Sequence, residues 1–173
     1  MKKRVVITGL GVVAPNGVGV KDFTQALKEG KSGITFHQKL KDLNFSCQIG
    51  GIPNISEDFK SQYFTKLQLR GFNSSGILYG CIAGIDAWKD AGFDMNADSE
   101  LDYDTGLIFG TGTSGVEKFR EAIYKLDDNQ VKRLGSTVVV QTMASGISAY
   151  LGGMLGFGNQ VTTNSSACTT GTE

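Results

Sequence analysis

The sequence predicts an α/β fold, on three observations. Short runs rich in β-branched and apolar residues, at 4–8 (RVVIT), 105–109 (TGLIF) and 161–164 (VTTN), are bounded by glycine or small polar residues, as strands are. Between them lie segments whose apolar residues recur every three to four positions, the period of a buried helix face. Glycine supplies 24 of the 173 residues against two prolines, with no G-X-Y period, so tight turns and close backbone packing are expected. Strands alternating with helices form α/β layers.

Each element has its own local reason. Residues 4–8 read as a buried strand ending at Gly9. Residues 21–29 read as a short helix with Phe23, Ala26 and Leu27 on one face and Gly30 as its stop. Residues 31–55 carry turn residues and no sustained period, and His37 within them reads as a surface residue. Ser56 is placed to cap a helix bearing Phe59 and Tyr63. From about 74 to 91, Ile77, Cys81, Ile85 and Trp88 recur at helical spacing among Gly76, Gly80, Ala83, Gly84 and Ala87. A mid-helix glycine costs about 1 kcal/mol relative to alanine, so this helix is expected to pack closely on its neighbours. Residues 94–104 form an acidic loop, and 105–109 a second buried strand. Val116, Phe119, Ile123 and Leu126 make the apolar stripe of a helix over 116–126. A further helix is expected at about 142–155, and a third strand at 161–164.

Composition removes several classes of function. Hydrophobic residues are 40% of the chain and charged residues 20%, enough apolar material for a core. Seventeen basic residues balance seventeen acidic ones without a long run of either sign, so nucleic-acid binding on a basic surface is not expected. Cys47, Cys81 and Cys168 are widely spaced and odd in number, and one histidine leaves a zinc site short of ligands. The basic start Lys2-Lys3-Arg4 is followed by an apolar stretch cut by Gly9, Gly11 and Pro15, unlike a signal peptide. No apolar run approaches the ~18–20 residues that span a bilayer. The expectation is a cytoplasmic protein with no metal or cofactor, and with neither nucleic acid nor membrane as a partner.

Three motifs are candidate sites. Gly-Leu-Gly-Val-Val-Ala at 9–14 fits G-x-G-x-x-A, but Pro15-Asn16-Gly17 interrupts the helix a dinucleotide site needs. Gly-Thr-Gly-Thr-Ser-Gly at 110–115 is a full G-x-G-x-x-G between a strand and a helix. No acidic residue closes the following Ser136-to-Gln141 segment, and Val116-Glu117 excludes a P-loop. Nucleotide binding and a structural glycine loop both stand there. The third motif runs from Val161 through Ser165-Ser166-Ala167-Cys168-Thr169-Thr170-Gly171. A strand entering small residues around one cysteine suits a sharp turn that presents a nucleophile. A helix beginning there would favour the thiolate through its N–H groups and dipole, and nearby N–H groups would serve a developing oxyanion. A buried structural cysteine is the other reading. Cys47 and Cys81 read as structural.

Taken together, residues 4–17 (RVVITGLGVVAPNG), Lys31-Ser32-Gly33-Ile34, the 110–115 loop and Ser166-Ala167-Cys168-Thr169-Thr170-Gly171 resemble β-ketoacyl-acyl-carrier-protein synthases of the elongating type. The motifs fall in the family's order over essentially the whole chain. The resemblance implies a thiolase-like layered α-β-α-β-α fold, of which residues 1–173 form most of the first half. It implies Cys168 as the nucleophile that takes an acyl chain from a carrier-protein thioester. Decarboxylation of malonyl carrier protein then yields the enolate that attacks the acyl-cysteine. The position matching Thr113 borders the acyl pocket, where the family often has a bulkier apolar residue. Val138 and Val139 match pocket residues contributed across a dimer.

The resemblance also implies acyl and malonyl carrier protein as partners, and a homodimer or a heterodimer with a sister synthase. Two departures accompany it. Asn159-Gln160 stands where a Gly-Pro pair usually precedes the active-site strand. The chain also stops at Glu173, whereas the family continues into a C-terminal half holding two histidines and a lysine. The expectation is that residues 1–173 are an incomplete N-terminal half, not a free-standing enzyme. A non-catalytic, chain-length-factor-like subunit and a Rossmann-type nucleotide binder are the alternative functions.

Overall fold

The computed structural model describes residues 3–95 and 100–172. In chain order the elements are β1 (Val13–Ala14), β2 (Gly17–Val18), α1 (Val20–Lys28), β3 (Ile34–Phe36), α2 (Gln38–Asp42), β4 (Ile49–Gly51), α3 (Glu57–Lys60), α4 (Lys66–Gly71) and α5 (Ser75–Asp90). They continue with β5 (Leu107–Gly110), α6 (Val116–Asp127), α7 (Val138–Thr142), α8 (Gly146–Leu155) and β6 (Val161–Asn164), with 3-10 turns at Val131–Arg133 and Ala167–Thr172. The chain divides into two units, residues 1–63 with 82–93, and residues 64–81 with 94–173.

In the first unit, β1 and β2 form a hairpin with Val13 opposite Val18, and β3 and β4 form another with Ile34 opposite Gly51. Helix α1 begins after Gly19 and is followed by Gly30, whose φ of 65° lets the chain leave the helix left-handed. Ala26 faces inward as expected, whereas Leu27 is exposed. Ser56 caps α3 by accepting from the Phe59 N–H at 3.1 Å, and the Phe59 and Tyr63 rings lie 5.3 Å apart. The Tyr63 hydroxyl donates to the Asp86 carboxylate at 2.8 Å. Burial, and then that carboxylate, hold the Tyr63 pKa well above the usual phenol range. His37 lies just before α2, with its ring Nε2 3.0 Å from the Gly50 carbonyl oxygen, so it is a half-buried link between hairpin and helix and not a surface residue.

Residues 4–8 depart from the expectation of a buried strand. Among the described residues they pair with no strand, and Val5 and Ile7 are 93% and 83% exposed. Composition favours an extended chain, but burial needs a neighbouring strand and a covering face, and this unit supplies neither.

In the second unit, β5 and β6 are parallel, paired from Leu107 with Val161 to Gly110 with Asn164. Helix α8 packs on both strands, and its Ser148 hydroxyl lies 2.6 Å from the Thr163 hydroxyl of β6. Phe64, Phe72, Ile77, Leu78, Cys81, Ile147 and Leu151 form the core. The Phe72 ring meets Phe64 edge-on at 5.2 Å and Tyr150 at 4.4 Å. Gly80 shows why α5 tolerates glycine: a Cβ there would lie 2.6 Å from Ile147 and 2.9 Å from Phe109.

Two further expectations are corrected here. The second strand is half-buried on one side and exposed on the other, with Ile108 73% exposed, because α8 covers a single face of the two-stranded sheet. Helix α6 forms over the expected residues, yet Val116, Phe119, Ile123 and Leu126 are all exposed. The helix expected at about 142–155 forms as α8 over 146–155, separated from α7 by the extended backbone of Met143. Of the acidic loop at 94–104, residues 96–99 lie outside the described residues. No helix among the described residues is long and apolar enough to cross a membrane.

Candidate active site

The parallel pair β5–β6 decides where chemistry can collect, since loops leaving the C-terminal ends of parallel strands converge on one edge. The 110–115 loop follows β5, and residues 165–172 follow β6. The Thr111 N–H donates to the Asn164 carbonyl at 3.1 Å, so the hydrogen-bond ladder extends one residue beyond β5 into the first of these loops.

Beyond Asn164 the chain turns sharply. Ala167 has a φ of 52°, a left-handed conformation uncommon outside glycine, asparagine and aspartate. Cys168 follows it, exposed, in the first turn of the 3-10 helix Ala167–Thr172. The sharp turn presenting the cysteine is therefore present. Cys81 is fully buried on α5, and burial pushes its thiol pKa up to about 12, which makes it an inert core residue. Cys47 is exposed, with its thiol 3.8 Å from the Ile49 carbonyl oxygen.

Thr113 is exposed on a depression of about 410 Å³ that is also lined by Ser114, Val116, Phe119, Thr142 and Ala144. Val138 and Val139 lie on α7, and Val139 is 63% exposed. Neither valine lines the depression around Thr113, so the structure does not unite the three residues in one pocket.

Both glycine motifs have structural causes. Cβ atoms on Gly9 and Gly11 would collide with the Ala87 and Ala83 carbonyl oxygens of α5, and residues 9–14 lead into a hairpin, not a helix. Gly115, with a φ of 64°, precedes α6, where a Cβ would collide with the Gln141 carbonyl oxygen. The segment expected to close a nucleotide site, 136–141, contains most of helix α7. Among the described residues no group of three metal-ligating side chains occurs.

Two site-shaping residues carry no sequence signal strong enough to single them out. Gln141 is buried, and its Oε1 accepts from the Asn73 and Ser74 N–H groups at 2.7 and 3.0 Å, at the start of α5. Thr170 lies inside the cysteine motif, where only the pairing of its hydroxyl distinguishes it from Thr169.

Comparison with known proteins fits this arrangement. Residues 2–173 match the model of the beta-ketoacyl synthase N-terminal domain. Over 170 residues, 98% of this chain, it is 31% identical to 3-oxoacyl-[acyl-carrier-protein] synthase 2 of Vibrio cholerae, and covers 40% of that protein. Over 153 residues, 86% of this chain, it is 35% identical to synthase 1 of Escherichia coli K12, covering 36% of it. The chain thus spans about 40% of the length of the curated relatives it matches. A beta-ketoacyl synthase structure from Burkholderia phymatum superposes with a TM-score of 0.79 at 23% identity, over 99% of this chain and 41% of that one. A type II polyketide ketosynthase, solved with its acyl-carrier protein and bound to the hexaketide, gives 0.74 at 20% identity, over 98% and 40%. The fold is accordingly α/β and thiolase-like, and the chain belongs to the beta-ketoacyl synthase family, whose N-terminal domain it carries.

Proposed function

We propose that the chain supplies the acyl-accepting cysteine of a 3-oxoacyl-[acyl-carrier-protein] synthase. The observation that carries this reading is Cys168, exposed on a left-handed turn after β6, in a chain that matches the beta-ketoacyl synthase N-terminal domain over residues 2–173. In the proposed reaction the Cys168 thiolate attacks the carbonyl carbon of an acyl carrier-protein thioester, and the carrier thiolate leaves. Malonyl carrier protein then loses carbon dioxide. Its enolate attacks the acyl-cysteine, releasing the Cys168 thiolate and a 3-oxoacyl carrier protein two carbons longer.

Small neighbours suit that chemistry. Ala167 and Thr169 leave room for an acyl group, and Thr113 would border the chain beyond it, with Val138 and Val139 contributed to the pocket of a second synthase chain. Residues 1–173 would act as an N-terminal half-fold, with two histidines and a lysine supplied by a C-terminal half. The exposed apolar residues of α6 and β5 are the surfaces that such a half, or a homodimeric or heterodimeric partner, would cover. Three unpaired cysteines fit the reducing cytoplasm, and fatty-acid or related lipid synthesis is the setting that the relatives' names support.

The test is acyl loading. The native protein is incubated with acyl carrier protein bearing a thioester-linked chain, digested, and the Cys168 peptide weighed. An acyl adduct that is lost in Cys168→Ala supports the reading. A protein that binds acyl carrier protein without loading overturns it.

A further inference from the structure

We propose that Thr170 is the positioning residue for Cys168, an inference that rests on the cysteine being the acyl acceptor. The Thr170 hydroxyl accepts from the Ser166 N–H at 2.8 Å and donates to the Ala167 carbonyl at 2.8 Å. One side chain thus ties together the two residues before the cysteine, bracketing the left-handed Ala167 whose φ of 52° needs compensation. Thr169 makes a different pattern. Its hydroxyl donates to the Ser166 carbonyl at 2.9 Å, leaving the Ser166 N–H to Thr170 alone.

The clamp is also anchored to the sheet. Gly110 closes β5, and a Cβ there would lie 2.5 Å from Thr170 Cγ2 and 3.1 Å from the Thr170 carbonyl oxygen. The glycine allows Thr170 to pack directly on the strand end, so the turn that carries Cys168 is referenced to β5 through this contact. Thr170 does not touch the reacting atoms in this scheme. It fixes the backbone that presents them.

The test compares alkylation of Cys168 and Cys47 by iodoacetamide in one protein, read by peptide mass, with Cys47 as internal reference because both thiols are exposed. Thr170→Val keeps the shape and removes both hydrogen bonds. The ratio of Cys168 to Cys47 rates is expected to fall about fivefold, the factor that corresponds to one typical net hydrogen bond. Thr170→Ser keeps the hydroxyl and should keep the ratio, and Thr169→Val should leave it within about twofold. A single cooperative unfolding transition in each variant shows that the fold is intact. A second arm covers a Thr170→Val protein that does not fold: Gly110→Ala should lower the same ratio, and Thr170→Ser in the same chain should restore part of it by removing Cγ2. An unchanged or raised ratio in Thr170→Val, or in Gly110→Ala when Thr170→Val does not fold, overturns the proposal. Failure of acyl loading in the parent protein would overturn the functional reading and leave these ratios to be judged separately.

Discussion

At the scale of single residues, Ala167 carries the most local strain in the candidate site. A left-handed backbone at a residue with a Cβ costs about 1–2 kcal/mol, whereas glycine adopts it without that penalty. Glycine at this position also gives the unfolded chain more freedom to lose, about 0.5–1 kcal/mol, which offsets part of the gain. Ala167→Gly should therefore be neutral to about 1 kcal/mol more stable. Ala167→Val, with a β-branched side chain at a φ of 52°, should cost about 2 kcal/mol or more. Urea unfolding of the two variants checks the pair. If valine is as stable as alanine, the turn is not left-handed in solution. The strain was invisible in the sequence because alanine gives no left-handed signal, whereas the small residues around Cys168 did mark a sharp turn.

At the scale of elements, α5 shows how a helix start can depend on side chains far away in sequence. The Gln141 amide oxygen takes the N–H groups of Asn73 and Ser74, and the Glu117 carboxylate takes the N–H and hydroxyl of Ser75 at 2.7 and 2.9 Å. The N–H groups at the first residue of α5 and at the two residues before it are thus satisfied from α6 and α7. Burial alone would raise the Glu117 pKa, but the hydrogen bonds it accepts, from Ser75, its own backbone and Ser74, together outweigh it and hold the carboxyl below its usual range. A carboxyl depressed in the folded state adds stability above its unfolded pKa of ~4.3, and loses it as pH falls through the lower folded value. The parent should therefore lose stability more steeply than Glu117→Gln between neutral pH and pH ~3, so that the two converge in acid. Parallel urea titrations across that range measure the difference, and parallel pH profiles would refute the assignment. Other helix ends show what was legible. Ser56 and Gly30 are local signals and placed α3 and α1 correctly. The β-branched Val138–Val140 run, in contrast, folds as helix α7, where Gln141 serves α5 and Gly115 makes room for its backbone. Those are tertiary causes that local propensity does not carry.

At the scale of the whole molecule, the same distinction separates elements from burial. Helix α6 and strand β5 were legible from periodicity and composition, yet Phe119 is 59% exposed and the apolar residues beside it are also uncovered. A periodic stripe states that a face is built for burial, and leaves open which chain covers it. Each such side chain gains about 1.5–3 kcal/mol when fully buried, so several exposed together create a drive toward association that one soluble domain rarely carries. A protein consisting of residues 1–173 alone should therefore bind an apolar dye in its folded state and sediment as concentration-dependent oligomers at micromolar protein. Replacing Phe119 and Ile123 together by glutamine should reduce both effects. It should change the unfolding midpoint little, because neither side chain packs in the core. A monomer that binds no dye would mean that these faces find cover within the chain itself. The apolar stripe would then be a core surface of residues 1–173, and the proposal that a second half or partner completes the enzyme would lose its physical support.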